Sequence, residues 1–161
     1  MLDRNDILEG LRRSGSILTA FVNSIPAAQM NRRRGDGAWT IAEHTGHLAQ
    51  VQPMLLERIR RFRNEAQPRF DPYIPGRDAS EDQPTVMARD EALEAFKRYR
   101  EQQIIELAAA DDATWEKIAR HPEYTHYSLY ILARHILMHD HWHMYRMEEL
   151  WLTRDDYLTT S

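Results

Sequence analysis

Residues 128–152 have the sequence SLYILARHILMHDHWHMYRMEELWL, and this stretch decides the fold. On a helical wheel, Leu132, Ile136 and Leu150 fall on one face, at the spacing of a helix that buries one side. Ser128 precedes the first apolar residue and is a favourable N-cap. The stretch therefore predicts a long amphipathic helix that ends near residue 152.

Two histidines occupy the centre of that apolar face. His139 and His143 each fall within about 20° of its midline, whereas His141 falls on the opposite, solvent side. Imidazoles four residues apart on a helix can reach one metal ion, and a shared cation would satisfy both buried rings. The alternative is that both are core histidines, each hydrogen-bonded to a backbone carbonyl or a tyrosine hydroxyl. The wheel leaves the two interpretations open.

Two further amphipathic segments are evident in the first third of the chain. Apolar residues recur at threes and fours over residues 7–22, which predicts a first helix closed by Pro26. A second helix begins with the capping box formed by Thr40 and Glu43. Pro53 falls inside this second helix and should kink it or mark an irregular turn.

The central part of the chain contains a long loop and a third helix. Residues 67–84 are rich in Pro, Gly, Asp and Ser, which predicts a loop that crosses the bundle. The third helix begins near Thr85 and ends near Asp111. Because no convincing strand is present, we expect residues 1–161 to form a single all-α domain. The predicted architecture is a four-helix bundle with a long loop after the second helix.

Composition excludes several classes of function. The chain has 161 residues, no cysteine and a formal net charge of -4, with an isoelectric point near 6.1. The acidic balance argues against a nucleic-acid partner, and thiolate ligands and cysteine nucleophiles are excluded. No apolar run approaches the ~18 residues of a membrane helix, and the N-terminus lacks the layout of a signal peptide. We therefore expect a cytoplasmic protein with no membrane partner.

A third metal ligand should come from a helix that faces the last one. The second helix offers His44 and His47. Periodicity places His44 nearest the centre of the apolar stripe and His47 about 60° to one side, and either could face the core. The remaining candidates, His121 and His126, are predicted to lie in a loop and to be solvated.

Two of these stretches resemble the DinB-like superfamily. Residues 39–48, WTIAEHTGHL, are similar to its Trp-Ser/Thr-x-x-Glu/Gln…His-Leu segment, and residues 139–143, HDHWH, to its His-Asp/Glu-x-x-His segment. The lead-in from Trp115 to His135 is also similar. The resemblance implies a metal-binding four-helix bundle with three histidine ligands. Carried over position by position, these ligands are His47, His139 and His143.

Three imidazoles without a carboxylate leave an open coordination position, which is typical of a catalytic metal site. Zinc, nickel and iron all accept such ligands. The resemblance implies a metal-dependent enzyme acting on a small molecule, either an S-transferase of low-molecular-weight thiols or a hydrolase, and we expect a homodimer. The alternatives are a non-catalytic metal-binding stress protein or dimeric binding module, and a bundle whose histidines are structural. Sequence assigns no catalytic residue beyond the ligands.

Two carboxylates near these histidines have competing interpretations. Asp140 occupies the place where a zincin has its glutamate base. Aspartate is shorter, however, and the zincin continuation after His143 is missing, which argues against a peptidase. Glu43 either caps its helix with Thr40 or orients the ring of His47 from one turn away.

Overall fold

The structure is a computed structural model that describes residues 3–71 and 87–160. Its α-helices are α1 (Arg4–Ser24), α2 (Ile41–Gln50), α3 (Gln52–Asn64), α4 (Arg89–Ala108), α5 (Asp112–Glu116) and α6 (Leu129–Leu152). Its strands are β1 (Arg32–Arg33), β2 (Ile118–Ala119), β3 (Tyr127–Ser128) and β4 (Thr159–Thr160). Within these ranges, no helix combines the length and the apolar character that crossing a bilayer requires.

The long helices form a four-helix bundle in which α2 and α3 together make one bent rod. Helices α4 and α6 each pack against α1 and against the α2–α3 rod, so α1 lies diagonally across the bundle from that rod. This arrangement confirms the predicted all-α class. The sequence analysis predicted no strands, but β1 pairs with β4 and β2 with β3. These ladders are two residues long, too short to show an alternating pattern.

Two of the predicted helix starts, at Thr40 and Ser128, are present in the structure. At the start of α2, the Thr40 amide donates to Glu43 Oε2 at 2.6 Å, and the Glu43 amide donates to Thr40 Oγ1 at 3.1 Å. The Ser128 hydroxyl accepts the Ile131 amide at the start of α6. The irregularity expected at Pro53 is present: α2 ends at Gln50, and Pro53 lies in the first turn of α3, which begins at Gln52.

The predicted helix start at Thr85 and most of the predicted loop over residues 67–84 lie outside the described residues, which resume at residue 87. Helix α4 ends at Ala108, close to the predicted end. The short helix α5 follows, and its Trp115 is fully buried.

The core consists of two hydrophobic clusters. One contains Leu11 from α1, Phe62 from α3, Trp115 from α5 and Leu132 from the start of α6. The other contains Leu18 from the second half of α1, Leu48 from α2, Phe96 from α4 and Met147 from the second half of α6. Along each rod, buried polar residues fall between the members of the two clusters. Five of them form a polar layer across the bundle, and they are Ser14, Gln52, Arg100, Gln103 and Asp140.

An ion pair lies at the centre of this polar layer. The Arg100 guanidinium donates to Asp140 Oδ2 at 2.5 Å and to Oδ1 at 3.1 Å, and both side chains are almost completely buried. The Ser14 hydroxyl also donates to Asp140 Oδ2, at 2.8 Å. Gln103 accepts from Arg100 and donates to the side chain of Gln52. The network therefore joins all four rods through satisfied polar groups.

Removing one partner of this pair should be strongly destabilising. We expect Asp140→Ala to lower the free energy of unfolding by about 3–5 kcal/mol, because the Arg100 charge stays buried without its carboxylate. Urea denaturation of the metal-free protein measures the change. The matched control is Asp112→Ala, which breaks the exposed ion pair with Arg4 and should cost about 1 kcal/mol or less. Equal losses in the two variants would contradict the central role of the buried pair.

Candidate metal centre

Three histidines from two facing helices meet in the bundle. His47 lies in the last turn of α2, and His139 and His143 lie in the middle of α6. His139 Nε2 is 3.3 Å from His47 Nε2 and 3.1 Å from His143 Nε2. One nitrogen from each ring lies within 4.8 Å of the other two. His141 is exposed, as the helical wheel predicts.

The spacing of these nitrogens fits a divalent metal. Tetrahedral bonds of about 2.0–2.1 Å place two ligand nitrogens about 3.3–3.4 Å apart, close to the two distances around His139. A neutral imidazole offers either one lone pair or one N–H at Nε2, so His139 cannot pair well with both neighbours at once. A shared cation would satisfy all three rings. The cluster is purely imidazole within the part of the chain that the structure describes.

His44 contacts His143 but does not belong to the group of three converging histidines. His44 Nδ1 lies 2.8 Å from Nδ1 of His143, the ring nitrogen on the side away from the Nε2 cluster. A histidine that binds metal through Nε2 carries its proton on Nδ1, and an acceptor there fixes its tautomer and ring orientation. The two candidates on α2 thus occupy different places: His47 faces the cluster, and His44 can position His143.

Two tryptophans cover the histidine cluster. The Trp39 ring lies 5.0 Å from the His47 ring, 5.2 Å from the His44 ring and 5.9 Å from the His143 ring, centre to centre. The Trp142 ring meets His143 edge-on at 4.7 Å and keeps about half of its surface in solvent. Sequence reasoning used Trp39 only to align a motif and missed its contact with the cluster.

Burial favours the neutral form of His143, His139 and His44. It lowers the pKa of His143 to about 2, and the neighbouring imidazoles act in the same direction. Burial also lowers the pKa of His44 to about 4, with a smaller contribution from the Arg146 charge. The pKa of His139 is lowered by burial too, against the opposing effect of Asp140. Neutral imidazole is the form that binds metals.

The two nearby carboxylates have structural roles. Both oxygens of Asp140 are engaged by Arg100, so this carboxylate is not available as a base. Glu43 accepts the Thr40 amide with one oxygen and forms an ion pair with Arg33 through the other, at 3.2 Å. The capping interpretation of Glu43 is therefore confirmed.

A cavity of about 370 Å3 opens beside the histidine cluster. His47 and His139 line it together with an apolar wall of Val51, Leu55, Leu132 and Ile136. Its size lies within the range of small-molecule sites. The cavity also contains residues that sequence reasoning missed, which are Arg58, Tyr124 and Tyr127. A signal for Arg58 existed, since it follows Val51 and Leu55 at helical spacing on one face of α3.

One loop histidine differs from its prediction. His121 lines the cavity and is only half exposed. Its Nδ1 accepts the backbone amides of Glu123 and Tyr124, and its ring stacks on the Tyr124 ring at 4.4 Å. These contacts keep it out of bulk solvent. His126 is exposed, as predicted.

The fold is a four-helix bundle that carries a cluster of three histidines, and the sequence identifies its family. Residues 11–152 match the model of the DinB superfamily, so the chain belongs to that superfamily. No curated protein matches the sequence.

A solved structure shares this fold. YfiT from Bacillus subtilis is similar with a TM-score of 0.73 and 19% sequence identity, and the match covers 91% of this chain and 85% of that one. YfiT is described as a probable metal-dependent hydrolase with an unusual four-helix bundle topology. At this identity the likeness shows a common fold.

Substitutions at four histidines should separate ligands from neighbours. We expect His47→Ala and His143→Ala to abolish stoichiometric metal binding, because each removes one of three converging nitrogens. His44→Ala should keep the stoichiometry but weaken the affinity about 10–100-fold. His141→Ala should leave both unchanged. Elemental analysis after dialysis gives the stoichiometry, and competition with a chelator gives the affinity. An equal loss in His141→Ala and His143→Ala would contradict the assignment.

Acidification should destabilise the metal-free protein. His143 and His44 have folded pKa values of about 2 and about 4, whereas the unfolded chain takes up protons near pH 6.5. The neutral histidines therefore make their full contribution to stability above about pH 6.5. As the pH drops toward 5, the free energy of unfolding falls by up to about 2 kcal/mol for each histidine. Urea denaturation at pH 7 and pH 5 measures this fall. It should be smaller in His143→Gln and unchanged in the exposed control His126→Gln.

Proposed function

We propose that this chain is a metal-dependent hydrolase in which His47, His139 and His143 bind one divalent ion. The observation that carries the proposal is the convergence of three imidazoles, two of which, His47 and His139, line a cavity large enough for a small molecule. Three imidazoles leave a coordination position open, as in catalytic zinc sites. The description of YfiT as a probable metal-dependent hydrolase supports the same type of chemistry.

A divalent ion bound there would supply Lewis acidity and activate water for attack on an electrophilic carbon. The protein contributes the arrangement around it. His44 fixes the orientation of His143, and Trp39 shields the cluster on one side. The apolar wall formed by Val51, Leu55, Leu132 and Ile136 favours a substrate with a hydrocarbon part, since burying apolar surface drives its binding. Zinc, nickel and iron all suit the donor set.

Transfer of a low-molecular-weight thiol is the second candidate reaction. The chain contains no cysteine, so a thiol would enter as a cosubstrate, and an open metal position accepts a thiolate as readily as water. The cavity beside the cluster gives such a cosubstrate a place to bind. The homodimer and the cytoplasmic location stay predictions.

Metal loading followed by activity assays tests the proposal. We expect about one equivalent of zinc, nickel or ferrous iron per chain, and metal-dependent hydrolysis of 4-nitrophenyl esters. His143→Ala should abolish both properties, whereas His141→Ala should retain both. Parallel reactions contain a low-molecular-weight thiol and a chlorinated aromatic electrophile. Conjugation without hydrolysis would favour the transferase, and metal binding without either reaction would favour the non-catalytic alternative.

A further inference from the structure

We propose that Arg58 forms an anion subsite at the other end of the cavity, so that the molecule bound there carries a carboxylate. The cavity that contains His47 and His139 also contains the Arg58 side chain, which is half-buried in the second half of the bent rod. The subsite identifies carboxylate-bearing molecules as the substrate class of the proposed hydrolase, and this identification rests on the proposed function. The recognition of the anion itself does not require a metal.

Arg58 differs from the other arginines of α3. Arg60 and Arg63 both pair with Glu106 on α4, and Arg61 pairs with Glu65 at 2.7 Å. Arg58 forms no ion pair with any residue in the ranges 3–71 and 87–160. Its guanidinium instead lies 5.7 Å from the centre of the Phe70 ring and beside the Tyr127 hydroxyl. A half-buried guanidinium of this kind retains donors for an oxyanion.

Two neighbouring side chains add donors at the same end. Burial raises the pKa of Tyr127, against the smaller effect of Arg58, so its hydroxyl stays protonated at neutral pH. The Nδ1 atom of His121 accepts the amides of Glu123 and Tyr124, so the neutral ring carries its proton on Nε2. A guanidinium, a hydroxyl and an imidazole N–H together complement an acceptor with several lone pairs.

The charge balance favours a singly charged anion. Arg58 supplies one positive charge within the cavity, and the exposed Glu123 at the cavity rim supplies one negative charge. A carboxylate matches the single guanidinium in a fork-shaped pair. A phosphate monoester brings up to two charges, and Glu123 opposes the second.

The distance between the histidine cluster and Arg58 sets the length of the matching ligand. Val51 lies beside the histidine end, and Arg58 follows it by seven residues, or about 10 Å along a helix. Leu55, Leu132 and Ile136 line the intervening wall. The matching molecule has a carboxylate, an apolar spacer of several carbons, and an ester or amide at the histidine cluster.

Binding to the metal-free protein tests the subsite apart from the hydrolase. Hexanoate and hexanamide are titrated into chelator-treated wild type, Arg58→Gln and the control Arg60→Gln, and affinity is followed by NMR shift perturbation. We expect wild type and Arg60→Gln to bind hexanoate at least tenfold more tightly than hexanamide. Arg58→Gln should lose this preference while keeping its affinity for hexanamide. Arg58→Lys, the second variant, should keep part of the preference.

Three results would overturn the subsite. They are equal binding of hexanoate and hexanamide to wild type, an equal loss of both ligands in Arg58→Gln, and tighter binding of hexyl phosphate than of hexanoate. The loaded enzyme is then compared on mono-4-nitrophenyl adipate and 4-nitrophenyl hexanoate. Selective binding of hexanoate without hydrolysis of either ester would support the subsite and count against the proposed function alone.

Discussion

The contact between the Arg100 guanidinium and the Asp140 carboxylate sets the alignment of the whole bundle. Taking two charges out of water costs several kcal/mol each, and this cost is offset only when the paired geometry and the surrounding hydrogen bonds are complete. Ser14, Gln52 and Gln103 complete them here. If any of the four rods slid along its axis by one turn, about 5.4 Å, the charge of Arg100 or Asp140 would contact apolar side chains instead of its polar partners. The polar layer therefore selects one axial alignment from several that hydrophobic packing alone would allow.

That alignment also places the histidine cluster. Asp140 is the neighbour of His139 on α6, and Gln52 opens α3 five residues after His47. The polar layer thus holds the two facing rods at the height where the imidazoles must meet. Nitrogen atoms on two helices come within about 3 Å only if both helices are fixed against sliding, because metal and hydrogen-bond distances tolerate errors of only a few tenths of an ångström.

The sequence pattern predicted the features that depend on a single helix, such as its position in the chain and its buried face. Periodicity located α1 and α6 and put His139 and His143 on the buried face, and capping chemistry located the start of α2. The choice between His44 and His47 needed the family motif, since a wheel gives direction but not the axial position of the partner helix. Contacts between helices were missed for the same reason. Arg100 lies on the apolar stripe of α4, but nothing in its own helix identifies Asp140 as its partner.

The break at Val51 divides the site between two structural units. Helix α2 and the middle of α6 carry the histidine cluster, whereas α3 and the loop between β2 and β3 carry the distal wall of the cavity. In the proposed function, the chemistry and the selection of ligands therefore reside on separate segments of backbone. Sequence change in α3 or in that loop can reshape the distal wall while the histidines keep their places. In the proposed function, substitutions in one half of the bent rod would change the choice of substrate and leave the metal ligands in place.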